Sequence, residues 1–156
     1  HGLIVLSLGY FALYNIDSFN KLSKYLIITQ LVAMAIYILF PSRQDLRPEV
    51  FPRENFLTWC IGLIYSFDTS TGVCPSLHVA YSLGIASVWF REKGVKVIWK
   101  VLLVVLVILI CLSTMFIKQH SAVDFFAAIP LSLLAEGIAY GKGYWLPKIK
   151  NAALRN

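Results

Sequence analysis

Long apolar runs alternate with short polar segments, most of them basic, along the whole chain. Five runs approach the length of about 20 mostly apolar residues that a helix needs to cross the hydrocarbon layer of a bilayer. They are Gly2 to Tyr14, Tyr25 to Phe40, Leu77 to Phe90, Val97 to Ile117 and Ser121 to Tyr140. The third is short, and the reading extends it toward Lys93 with its basic end at the headgroups. The first begins directly after His1, without the basic start and small-residue cleavage pattern of a signal peptide. It therefore reads as the remainder of a spanning helix, with a sixth helix expected upstream. The fold class that follows is all-α: a multi-pass transmembrane helical bundle of about five spanning helices, forming one membrane-embedded domain over residues 1–156.

A shorter pattern lies between the second and third runs. Phe56, Leu57, Trp59, Cys60, Leu63, Ile64 and Phe67 recur at helical spacing after Asn55, a suitable N-cap, and Asp68 closes the run. Too short to span, this segment is expected to be an interfacial helix. It either borders a lateral path for a lipid or covers the bundle as a lid.

Composition supports lipid as the solvent, since 58% of the 156 residues are apolar and only 14% are charged. The net charge of +6 does not imply a nucleic-acid partner, because the basic residues punctuate apolar runs instead of gathering on one polar face. They mark topology. Alternation places Asn15 to Lys24, Arg91 to Lys96 and the tail from Gly141 on one side of the membrane, and Pro41 to Ser76 and Lys118 to His120 on the other. Lys21, Lys24, Arg91, Lys93, Lys96, Lys100, Lys142, Lys148, Lys150 and Arg155 make ten on the first side, against four (Arg43, Arg47, Arg53 and Lys118) on the second. The positive-inside rule then puts the second side outside a cell membrane.

The three cysteines form no C-x-x-C pair, so neither a structural zinc site nor a thioredoxin-type motif is encoded. Cys111 sits in an apolar run, while Cys60 and Cys74 share one extramembrane segment, as two thiols or as a disulfide. No metal or other cofactor is expected: Asp45, Glu49, Glu54 and Asp68 are scattered through the long loop and do not form a paired acidic cluster suited to magnesium.

Apart from His1 there are two histidines, His78 and His120, each at the outer end of an expected spanning helix. The chain leaving His78 crosses once, turns at Arg91 to Lys96 and crosses back to His120, so both imidazoles end at one membrane level. A lone histidine near lipid is usually a packing residue, but two at one level favour function. Asp124 follows His120 by four residues and shares its helical face if the last helix begins at Ser121. A carboxylate there can orient one ring nitrogen and leave the other as a nucleophile; equally, it can be a polar residue favoured in a first helical turn. Ser76 and the backbone N–H groups of Leu77 and His78 stand at a helix N-terminus, a ready anion site. Arg47, with Arg43 and Lys118 as further candidates, adds positive charge suited to phosphoryl oxygens.

Taken in order, these residues resemble the type 2 phosphatidic acid phosphatase family, whose core is shared with vanadium-dependent haloperoxidases. The family pattern has three blocks, K-x6-R-P, P-S-x-H and S-R-x5-H-x3-D. Pro75, Ser76, Leu77 and His78 match the second block; Ser113, His120 and Asp124 match the third; Arg47-Pro48 matches the end of the first. The resemblance runs from roughly Ile36 into the last helix, and departs from the pattern at Phe40, in the lysine position, and at Thr114, in the arginine position. It implies a metal-independent lipid phosphatase in which His120 attacks phosphorus, Asp124 orients it, and His78 protonates the leaving oxygen. Arg47, Ser76 and the Leu77 and His78 N–H groups would hold the phosphate, with Lys118 and Arg43 replacing the missing basic positions. The substrate class is a lipid phosphate or diphosphate. Two alternatives stand beside it: phosphate transfer to a lipid alcohol, as in the inositol phosphorylceramide synthase branch, and a non-catalytic membrane protein that binds lipid phosphate. Oligomeric state is not encoded legibly.

Overall fold

The computed structural model describes residues 2–48, 50–68 and 70–154, apart from the Lys142 side chain. His1, Glu49 and Arg155, which enter the sequence reading, lie outside the described residues. Among the described residues seven α-helices are formed: α1 (Gly2–Tyr14), α2 (Ile16–Leu39), α3 (Phe56–Phe67), α4 (Leu77–Arg91), α5 (Val97–Phe116), α6 (Ala122–Tyr140) and α7 (Leu146–Ala153), with a π-helical turn, Gly141–Trp145, between the last two. The long connection contributes one isolated β-bridge, Arg43 to Thr71.

Three of these helices, α2, α5 and α6, are long and apolar enough to cross a membrane by length and composition. Their outward faces are apolar: Ile98, Leu102, Leu106 and Leu109 of α5 are exposed, as are Leu31 and Ile38 of α2. Exposed apolar surface on this scale suits lipid, not water. The other two expected spans form helices where the pattern puts them, but α1 has 13 residues and α4 has 15. At 1.5 Å per residue they rise only about 20 Å, against a hydrocarbon layer of about 30 Å. Length and composition thus support three crossings and leave α1 and α4 short. The expected extension of α4 to Lys93 does not form. Glu92 caps the helix, and Gly94 turns the chain at φ +89, a conformation that glycine adopts without a Cβ penalty.

Two polar segments expected as connections are helical instead. The α2 helix starts at Ile16, two turns before the apolar run, because Asn15 caps it by accepting the Ser18 N–H, and Lys21 pairs with Asp17 one turn earlier. Apolar periodicity marks only the buried part of such a helix; a good cap carries it through polar residues. The tail from Gly141 likewise continues as the π turn and α7.

The α4 helix is the centre of the bundle, packed against α1, α2, α5 and α6. This explains its short, weakly apolar run: its neighbours are helices, so it carries small residues that let backbones approach. At Gly84 an added Cβ would lie 2.2 Å from Cε1 of the Tyr25 ring. Tyr25 is fully buried and donates its hydroxyl to the Ala80 carbonyl at 3.0 Å. One apolar cluster, with Ala33, Val79, Val107 and Leu131, joins α2, α4, α5 and α6. A second, Phe11, Leu22, Ile85 and Val88, joins α1, α2 and α4.

At the lysine-rich end, α4 and α6 are tied by Arg91 and Glu136, an ion pair with most of both side chains buried. Ser87 donates to Glu136 Oε2 at 2.7 Å, and Trp145 Nε1 donates to Oε1 at 3.2 Å. The Arg91 guanidinium lies over the rings of Tyr140 and Tyr144 at 4.4 and 4.5 Å. The π turn brings Tyr144 and Trp145 to this cluster.

Candidate functional site

At the opposite end of the bundle, two helix starts meet. Ser76 caps α4, and its backbone N–H donates to the Asp124 carbonyl at 3.1 Å. The first turns of α4 and α6 are therefore joined through the main chain. His78 stands on the first turn of α4. His120 arrives from the end of α5, where Lys118 adopts a left-handed φ of 55 and the Thr114 carbonyl accepts the N–H groups of both Gln119 and His120, at 2.9 and 3.1 Å. This turn folds the chain back and sets the imidazole against α4.

The result is a facing pair of histidines, with His78 Nδ1 3.3 Å from His120 Nε2. On the far side of the His120 ring, Nδ1 is 3.7 Å from Asp124 Oδ2, longer than a hydrogen bond. That Nδ1 is buried and has no hydrogen-bond partner. Asp124 meanwhile serves the helix start in the way a first-turn acid does: its Oδ2 accepts the Ser121 N–H at 2.7 Å, in a capping box with Ser121. The helix-cap reading of H-x-x-x-D is thus the one formed, while the orienting bond to His120 is not made at 3.7 Å. Burial pushes the His120 imidazole below its ordinary value, with the carboxylates of Asp124 and Asp68 opposing the shift. Burial thus favours the neutral ring, the form in which a ring nitrogen keeps its lone pair.

Both histidines line a cavity of about 270 Å³, walled also by Tyr37, Asp68, Thr71, Gly72, Val73 and Leu77. Its far wall is fixed by Tyr37, which donates to the Pro75 carbonyl at 2.6 Å and packs against Gly72, a residue at φ +67. Leu77 takes its expected place.

The expected phosphate-binding side chains are less convergent. Ser76 is fully buried, and its hydroxyl oxygen accepts the Val79 N–H at 3.5 Å, so it acts as a cap and does not line the cavity. Arg43 is exposed and paired with Asp45 at 2.9 Å. Lys118 is exposed and is not among the residues of the cavity wall. Arg47 comes to the rim, where its guanidinium donates to the Asp68 carbonyl at 2.6 Å and to the Asp68 carboxylate at 2.5 Å, and covers the Tyr65 ring. The two departures from the family pattern are accounted for in place: Phe40 is exposed at the end of α2, and Thr114 is buried with its hydroxyl donating to the Cys111 carbonyl.

Asp68 is the residue that sequence reasoning missed. In the sequence it reads as the end of the short helix, a role it keeps as the α3 C-cap, and as one of four acids scattered through the long loop. In three dimensions its carboxylate sits in the cavity wall and accepts from Arg47 and from Gln119, the latter at 3.0 Å. The one available signal was a polar Gln119 beside His120 in a turn of few residues. The short helix itself forms as expected: Asn55 caps it in a capping box with Thr58, none of its residues is fully buried, and Tyr65 donates to the Ile117 carbonyl at 2.5 Å. Cys60, Cys74 and Cys111 are free thiols. Among the described residues, no three His, Cys, Asp or Glu side chains gather as a metal ligand set. The chain matches no protein-family model, no curated protein and no solved structure.

Proposed function

We propose that this protein is a membrane lipid phosphatase of the type 2 phosphatidic acid phosphatase kind, working through a phosphohistidine. The observation that carries the reading is the facing pair, His78 Nδ1 and His120 Nε2 at 3.3 Å, with a carboxylate behind His120. A phosphoryl group enters by separating the two nitrogens. His120 Nε2 gives its lone pair to phosphorus as the bond to the lipid oxygen breaks, and protonated His78 supplies the proton that the leaving oxygen needs. Asp124 stabilises the charge on the phosphorylated ring once the 3.7 Å separation closes to hydrogen-bond length. Neutral His78 then takes a proton from water, the hydroxide oxygen bonds to phosphorus, and the P–N electron pair returns to His120. Arg47 and the Leu77 and His78 N–H groups are the donors nearest the phosphoryl oxygens, where charge stabilisation dominates this chemistry.

In this reading α1, α2, α4, α5 and α6 all sit in the bilayer, and packing and local thinning at the polar ends of α1 and α4 shorten the span that these two must cover. The histidine end faces outward on the ten-to-four distribution of Lys and Arg, and α3 lies at the interface beside the cavity.

A second reading has a specific observation in its favour. The Asp68 carboxylate in the cavity wall engages Arg47, which weakens the anion site and suits a protein that binds lipid phosphate without turning it over. The experiment is phosphate release from a lipid phosphate monoester in detergent, by the wild type and by His120→Ala and His78→Ala. Loss of release in both variants with folding retained, and a phosphoenzyme trapped at His120, support the phosphatase. Substrate binding by the wild type without release or a trapped intermediate supports the binder. Supplying lipid alcohols and following where the phosphate goes separates hydrolysis from transfer.

A further inference from the structure

A second opening lies away from the histidines. It is an open groove of about 820 Å³ between α1 and α5, floored by Trp89 of α4 and walled by Leu3, Leu6 and Tyr10 on one side and Leu103 and Leu106 on the other. Its lower end is different in kind, formed by Gly94, Lys96, Trp99 and Lys100. Lys96 and Lys100 are one helical turn apart and share a face. Lys100 is fixed in place: its ammonium donates to the carbonyls of Phe90 and Glu92 at 2.9 and 3.0 Å, at the end of α4. Two of its three N–H donors are thereby occupied, which leaves the third for a ligand. The nearby carboxylate of Glu92 is turned away, accepting from Asn15 and Ser18. The mouth is therefore cationic and the rest of the groove apolar.

We propose that this groove binds one anionic phospholipid, with its phosphate at Lys96 and Lys100 and an acyl chain lying between α1 and α5 over Trp89. Three features select a lipid over a helix. The charge at the mouth complements a phosphate. From Lys96 to Leu106 the groove follows α5 for about 15 Å, roughly the depth of one leaflet. Its walls are long, flexible leucines and aromatic rings, whereas helix–helix contacts in membranes favour small residues. Trp89 is held for this role by its indole N–H, which donates to buried Ser7 at 3.0 Å. The site does not depend on the chemistry of the histidine end.

The test is native mass spectrometry of the full chain, released from micelles containing equal amounts of phosphatidylglycerol and phosphatidylcholine with the same acyl chains. Phosphatidylglycerol is a phosphodiester, so a phosphomonoesterase at the other end does not consume it. The wild type should retain phosphatidylglycerol about tenfold over phosphatidylcholine, as two near-surface lysines imply. Lys96→Gln with Lys100→Gln should bring that preference to within about twofold. Leu6→Trp, at an exposed position that tolerates bulk, should reduce retention of both lipids by filling the groove. Equal retention by the wild type, or a preference that survives the double lysine change, overturns the proposal. So does a two-chain species linked through Leu6→Cys, which would make a second copy the occupant.

Discussion

The two polar ends of the bundle hold their buried groups at different distances. At the lysine-rich end, Arg91 and Glu136 are buried and in direct contact, enclosed by Ser87, Trp145 and the rings of Tyr140 and Tyr144, while Arg91 Nε and the Tyr140 hydroxyl have no hydrogen-bond partner. At the other end, His120 Nδ1 is buried without a partner, and its carboxylate stands just out of reach. Buried charges in direct contact hold helices together, while a carboxylate held just beyond hydrogen-bond reach of a buried imidazole can close on the ring when it gains charge. The comparison separates a fastening from a site within one pair of helices, since α4 and α6 contribute to both.

The sharpest way to break this comparison is at His120. His120→Asn should lower phosphate release from a lipid phosphate by at least about a thousandfold while leaving the thermal unfolding midpoint in detergent close to wild type. A large fall in that midpoint would mean that the histidine end is a fastening too. Next in size is Glu136→Ala, which strands a buried guanidinium and should cost about 3–5 kcal/mol of stability, read as loss of folded protein in a detergent unfolding titration. Activity per folded molecule should be little changed. Gly84→Ala tests the packing between the two ends: the new methyl meets the buried Tyr25 ring, and overpacking of this kind costs about 1–3 kcal/mol.

The pH dependence is a smaller effect with a definite sign. Because burial holds His120 below the ordinary imidazole value, the acid limb of kcat/KM should lie below about pH 6.5. Activity then falls as the pH drops through the lowered value. Stability follows the same direction. The unfolded chain binds the proton more readily than the folded one, so the contribution is complete above the unfolded value and is lost on acidification. An acid limb above about pH 7 would contradict this. The smallest effect is expected from Asp68→Asn, which releases Arg47 from a partly exposed ion pair; KM for the lipid phosphate should fall by no more than about fivefold. A rise in KM would show instead that Asp68 holds Arg47 in its working position.

How legible each end was in the sequence follows from the range of its contacts. The positions of the helices, the α3 cap at Asn55 and the levelling of His78 with His120 all rest on local periodicity and chain alternation, and they appear where the pattern puts them. Asp68 reads in the sequence as a helix end and a scattered loop acid, and not as part of the site, because its partners, Arg47 and Gln119, lie 21 and 51 residues away. Ser76 has the same sequence signature whether its hydroxyl caps a helix or meets a ligand, and only burial separates the two. Arg91 counted as a marker of topology, whereas its charge pairs inside the bundle with Glu136, an acid near the end of the last apolar run. The early start of α2 escaped for a related reason: hydropathy reports what a helix faces, not where its hydrogen bonds begin.

The backbone hydrogen bond from Ser76 to the Asp124 carbonyl has a mechanical consequence. It pins α4 to α6 at their first turns, close to the residues that carry the two imidazoles. With the Arg91–Glu136 pair tying the same two helices at the other end, tilting to suit a thicker or thinner bilayer carries α4 and α6 together and leaves the gap between the rings unchanged. The spacing of His78 and His120 is in this sense referenced to the main chain, and should be insulated from the membrane around it.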